Sequence, residues 1–171
     1  MNYLYQFTIP VFVKTLTALD GLLTKAEAHI KEKSLDEATF LDTRLAADMF
    51  PLKKQVQIAC DNAKGAAARL TGTDAPVHED DEQTFADLHT RIHKTLAYLA
   101  TVQESAFEGA DTRQITMSYF PGKYMTGFDY MREHVLPNFF FHVTTAYAIL
   151  RKEGLTIGKG DFIGGWPLKD L

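Results

Sequence analysis

Chemistry in this 171-residue chain concentrates near its C-terminal third, where His134, Asn138 and His142 recur at i, i+4 and i+8. On a helix at 100° per residue these three drift by only about 80°, so they share a face. An imidazole there can act as a general base or as a metal ligand. Adjacent turns are about 6 Å apart, and His134 and His142 are two turns apart, too far to share one ion without a bend. A further ligand would have to come from another helix, where the nearest flanking groups are Asp48 and Gln55. Asn138 and His142 also lie on an apolar seam (Phe128, Met131, Val135, Asn138, His142, Thr145, Ile149) at mid-helix, where an unpaired polar group costs roughly 1–3 kcal/mol. Each must therefore find a partner or a ligand. Three arrangements satisfy that demand: a closed Asn138–His142 hydrogen-bond pair that fixes helix register, a ligand-facing pocket, and a metal site.

Other groups read more plainly. His89 and His93 have the i, i+4 spacing that suits a metal, but they lie off the apolar stripe of their helix, which predicts a rim and solvent position. Cys60, the one cysteine, adjoins an apolar stripe and reads as a small buried hydrophobe. The acidic run from Glu79 to Glu82 lacks the glycine and spacing of a calcium loop, and reads as a solvated approach to a helix N-terminus. Gly158, Gly160 and Gly164 mimic a phosphate loop without the strand and helix it needs.

The elements that must hold these groups are helical. Apolar residues step by threes and fours in four segments: Phe12, Leu16, Leu19, Leu23, Ala26 and Ile30; Met49, Leu52, Val56, Ala59, Ala63, Ala66 and Leu70; Phe85, Leu88, Ile92, Leu96, Leu99 and Val102; and the stretch from Met125 to Glu153. The fourth reads as covered nearly all round, and Pro137 should kink it by denying the Glu133 carbonyl its partner. Gly72 and Gly154 stand where helix C-termini belong. Ser34 with Glu37 suggests a capping box for a short extra turn, and residues 113–124 alternate up to Pro121-Gly122, as a small hairpin would. The tail containing Phe162, Ile163 and Trp166 should fold back over the rest. The expectation is an all-α, up-down four-helix bundle, a single domain over residues 1–171.

Composition narrows the function classes. Hydrophobic residues make up 46% and the net charge is −4, with nine basic and thirteen acidic groups in residues 1–85 and nine of each thereafter. No basic excess exists to neutralise phosphates, so no nucleic acid is expected. The longest uncharged run, Val135 to Leu150, is short of the roughly 20 residues of a spanning helix and holds polar groups, so no membrane partner is expected either. The N-terminus lacks the basic region and cleavage site of a signal peptide, which predicts a cytoplasmic protein.

Two stretches, RLAADMFPLKKQVQIACDNAK (residues 44–64) and PNFFFHVTTAYAILRKEG (residues 137–154) followed by IGKGDFIG, resemble a bacterial family of unknown function within the DinB-like helical-bundle superfamily. The resemblance implies a DinB-like four-helix bundle, often found as a homodimer. Characterised relatives in that superfamily include metal-dependent thiol transferases, whose metal site resembles one histidine on the second helix and an HxxxH pair on the fourth. Here His142 matches one of that pair, Asn138 stands where the other would be, and the second-helix histidine is missing.

The leading expectation is thus a central polar pocket that binds or acts on a small molecule, with Asn138, His142, Gln55 and Asp48 as ligand-binding residues and His142 as the catalytic candidate. No cofactor is expected. One alternative is a non-enzymatic dimerisation module with a register-fixing polar seam. The other is a divergent thiol transferase holding a divalent zinc or nickel ion through His142 and His134.

Overall fold

A computed structural model of the protein describes residues 1–170. In chain order it contains α1 (Tyr3–Gln6), α2 (Ile9–Lys33), α3 (Glu37–Leu41), α4 (Leu52–Thr71), α5 (Phe85–Thr101), a 3₁₀ turn (Glu104–Phe107), β1 (Gln114–Thr116), β2 (Tyr124–Thr126), α6 (Gly127–Asp129), a π-helical segment (Tyr130–Val135), α7 (Leu136–Lys152) and α8 (Lys159–Ile163). The fold is all-α apart from the antiparallel β1–β2 pair, in which Ile115 faces Met125.

Local chemistry explains the boundaries. Pro10 sits in the first turn of α2, where its missing N–H matters little. Ser34 ends that helix in a left-handed conformation, so it is a C-terminal residue and not the expected N-cap. The cap of α3 is Asp36, whose carboxylate accepts from the Thr39 N–H at 2.8 Å. Glu37 instead accepts from the Phe85 N–H at 2.6 Å, tying α3 to the start of α5. Pro51 precedes α4, so Met49 falls in the turn before the helix, outside the stripe assigned to it. Gly72 takes the left-handed C-cap at φ +73°. Thr84 and Asp87 close a capping box at the start of α5.

Packing follows the four stripes. The α4·α7 pair is the most extensive helix contact, with α5 against both α2 and α4, and α7 against α2. Ala59, Ala63, Ala66 and Ala67 are fully buried on α4, and such small side chains let the neighbouring helices approach closely. Phe12 from α2 meets Phe139 from α7 with ring centroids 4.8 Å apart. By length and composition the stretch Tyr3–Lys33 is apolar enough to cross a membrane. Its stripe (Phe12, Leu16, Leu19, Leu22, Leu23, Ala26) is instead buried in the core. The tail packs α8 on α2 and sets Phe162 against Tyr147, but Trp166 stays exposed.

The helix that carries His142 is irregular at its N-terminal end. Instead of a simple kink at Pro137, the chain widens into the π segment, where the Leu136 N–H donates to the Met131 carbonyl five residues back. Widening here is a local response to a following residue that has no N–H for the ladder. The expected helix from Met125 is also not continuous, since Met125 lies in β2 and the exposed Phe128 in α6, and α7 is less covered than its sequence suggests: Pro137, Phe141 and Thr144 are exposed.

Candidate functional site

The seam on α7 is completed from α4. His142 is 7% exposed and Gln55 is 1% exposed, and they face each other across the α4·α7 contact. His142 Nδ1 lies 2.7 Å from Gln55 Oε1. The Gln55 amide also donates through Nε2 to the Phe50 carbonyl at 2.9 Å, which orients the amide and leaves Oε1 as the acceptor. Nδ1 must then carry the proton, and Nε2 keeps its lone pair. Nε2 makes no hydrogen bond among the described residues, yet it is not among the buried polar atoms lacking a partner, so it touches solvent. Burial pushes the His142 pKa down from its ordinary 6.5, keeping the ring neutral at pH 7. The result is a neutral imidazole held by a donor bond on one side and presenting a basic nitrogen on the other. Phe141, 55% exposed, stands edge-on to that ring at 5.2 Å, and Phe50, which supplies the carbonyl, is 54% exposed.

The remaining expected site residues lie apart from this pair. Asn138 is half-buried and its side chain makes no hydrogen bond among the described residues, so the Asn138–His142 pair does not form; Gln55 is the partner. Asp48 is exposed in the turn before α4. His134 sits in the π segment, stacked on Tyr130 at 5.5 Å, with Nε2 3.1 Å from the Tyr119 hydroxyl. Burial, then the Arg69 charge, lowers its pKa. No group of three or more His, Cys, Asp or Glu side chains placed to hold a metal occurs among the described residues. The side chain facing His142 from the second long helix is an amide, a weak ligand beside an imidazole, so a zinc-type triad does not fit here. Cys60 is fully buried and its thiol is pushed up to about 12 by burial, which makes it inert as a nucleophile. His89 and His93 both lean on Asp20, at 2.6 and 3.2 Å.

Sequence reasoning missed a second buried polar centre. Arg91 on α5 is 2% exposed and contacts Glu82 at 2.7 Å, Asp61 at 2.8 Å and Asp80 at 3.0 Å. It also donates to the Glu79 carbonyl at 2.9 Å, and Gln57 donates to Glu82 at 2.6 Å. Lys64 pairs with Asp61 and Lys54 with Asp80. The acidic run is therefore only in part a solvated helix approach: Glu79, Asp80 and Asp81 are exposed, while Glu82 is buried and, with Asp80, straps the loop to α4 and α5. Residues 88, 91, 95 and 99 step by three, four and four, so Arg91 is in phase with Leu88 and Leu99, and that phase was the available signal. The strap leaves a polar cavity of about 510 Å³ lined by His78, Glu82, Arg91 and Lys94.

The all-α fold that carries this pair is DinB-like, as similarity to a solved structure shows. A solved structure described as a DinB family member protein from Shewanella denitrificans is similar over 99% of this chain and 96% of that chain, with 46% sequence identity and a TM-score of 0.96. Residues 4–163 match the family described as domain of unknown function DUF1993, and the chain belongs to that family. Comparison with curated proteins gives no match.

Proposed function

We propose that the protein is a single-domain, cytoplasmic DinB-like four-helix bundle that binds a small molecule at the His142–Gln55 pair, with His142 Nε2 as the hydrogen-bond acceptor or general base. The mutual packing of α2, α4, α5 and α7 supports the bundle reading. The observation that carries the site is the split state of the imidazole: Nδ1 is committed to Gln55 in the core while Nε2 stays open to solvent. A purely structural histidine would be expected to engage both nitrogens. In this reading Asn138, one helical turn before His142 on α7, supplies a second polar contact for the ligand, and no cofactor or metal is required. Nucleic acid and membrane have no part in this reading.

Urea melts of wild type and His142→Ala test it. In an open site water takes the place of the ring and satisfies Gln55, so the loss should stay below about 1 kcal/mol. In a sealed core the substitution leaves a cavity and an orphaned amide, at a cost on the order of 2–4 kcal/mol. A loss above about 2 kcal/mol with unchanged m-value rejects the pocket.

Exposed Phe50 and Phe141 beside the pair favour one second reading, a homodimerisation module in which these rings meet a second copy and the polar seam only fixes register. Sedimentation velocity across a concentration series, with Phe141→Ser as control, decides it: a dimer abolished by the substitution supports this reading, and a monomer throughout removes it.

A further inference from the structure

The hairpin formed by β1 and β2 holds a cleft that the His142 site does not use. Its floor is Ile115 and Met117, 4% and 6% exposed, with Met125 opposite Ile115 across the strands. Phe120 and Tyr124 also line it and are about half exposed, and the open cleft has a volume of about 250 Å³. The loop is built in advance of any ligand. The Phe120 N–H donates to the Met117 carbonyl at 2.9 Å and the Lys123 N–H to the Phe120 carbonyl at 3.1 Å. Gly122 takes the left-handed turn at φ +71°. The Tyr119 hydroxyl donates to Met117 Sδ at 2.9 Å and lies 3.1 Å from His134 Nε2, which anchors the loop to the π segment.

Lys123 is the single charged residue lining this cleft, and its ammonium makes no ion pair or hydrogen bond among the described residues. An apolar floor with aromatic residues in the lining and one unpaired cation is complementary to an amphipathic anion. We propose that the cleft binds a small carboxylic acid with an aromatic or alkyl body. The body would rest on Ile115, Met117 and Met125 beside Phe120, and the carboxylate would meet Lys123 Nζ. The volume lies below the roughly 300–1,000 Å³ of drug-sized pockets, which favours a single-ring acid.

The test is an NMR-monitored titration of the full chain with 4-phenylbutyrate and, separately, 4-phenylbutanamide, which has the same body and no charge. Saturable shifts confined to residues 115–125 are expected at millimolar ligand. The acid should bind about 5-fold more tightly than the amide, the equivalent of about 1 kcal/mol. Lys123→Met, at an exposed position, should erase that difference by lowering the acid's affinity to that of the amide. Phe120→Ser should weaken both ligands. Absence of saturable shifts, equal affinities for acid and amide in the wild type, or a difference that survives Lys123→Met would each overturn the proposal. So would the same shifts arising from protein concentration alone, which would mean a second copy covers the cleft.

Discussion

Gln55 Oε1 accepts a hydrogen bond from His142 Nδ1 at 2.7 Å, and this contact sets the imidazole tautomer from across the α4·α7 interface. Gln55→Leu keeps the side chain's bulk but removes both of its hydrogen bonds. The Nδ1–H and the Phe50 carbonyl then lose their partner, and a cost of about 1–3 kcal/mol is expected in urea melts. The ¹⁵N spectrum of the ring gives the complementary check. Wild type should show the proton on Nδ1, and Gln55→Leu should lose that preference. A ring already protonated on Nε2 in the wild type would remove the basis for treating that nitrogen as a base.

Stability should fall as solution turns mildly acidic. Burial lowers the pKa of His142, and burial with nearby cations lowers those of His134 and His78, all from an ordinary 6.5. A base with a depressed folded pKa binds more protons when unfolded, so its contribution is complete above about pH 6.5 and is lost as pH drops toward the folded value. For His142 the slope reaches at most about 1.4 kcal/mol per pH unit. Urea melts between about pH 7.5 and 5 should show the decline, and His142→Gln should flatten part of it. The depressed carboxylates Asp36 and Asp87 act only below about pH 4, in a separate window.

The helices were legible because their stripes are long: all six apolar positions named on α2 are buried, and Gly72 and Gly154 both follow their helices in left-handed conformations. His142 was legible as a polar interruption of such a stripe, and Gln55 as a flanking group on the helix that packs against it. What the sequence hid depends on chain-distant partners. Asn138 is in the right phase to meet His142, but a residue 87 positions earlier takes that bond. The carboxylates of 79–82 look solvated as a run, and only the course of the loop over α5 brings Glu82 to Arg91. The π segment was similarly hidden, because Pro137 predicts an irregularity without choosing between a kink and a widened turn.

Arg91 offers the largest expected effect. Its guanidinium contacts Asp61, Asp80 and Glu82, two of them also countered by Lys64 and Lys54. Arg91→Met leaves the buried Glu82 without its cation, and removing one member of a buried ion network costs about 3–5 kcal/mol. The double variant Arg91→Met with Glu82→Gln should recover part of that loss, since no charge then remains buried unpaired at that point. If the double variant is less stable than the single one in chemical denaturation, the strap depends on hydrogen-bond geometry more than on charge.

Two glycines make a paired prediction of opposite sign. Gly127 opens α6 directly after β2, and a Cβ added there would overlap the carbonyl oxygen of Ala110 and stand 3.2 Å from Leu70 Cδ2. The neighbouring Phe128 N–H donates to the Asp111 carbonyl at 3.0 Å, so the backbone there is pinned against the loop and has little freedom to retreat. Gly127→Ala should therefore cost about 1–3 kcal/mol, as an overpacked core site does. Gly21 sits in the middle of α2 on its exposed face, and a Cβ added at this position would have nothing within 4 Å. There the same substitution meets no neighbour, restricts the unfolded chain and improves helix propensity, so Gly21→Ala should stabilise by about 0.4–1 kcal/mol. Thermal and urea melts of the two variants, measured side by side, check both signs. Equal effects would mean that the close approach of Ala110 to the start of α6 does not constrain the fold.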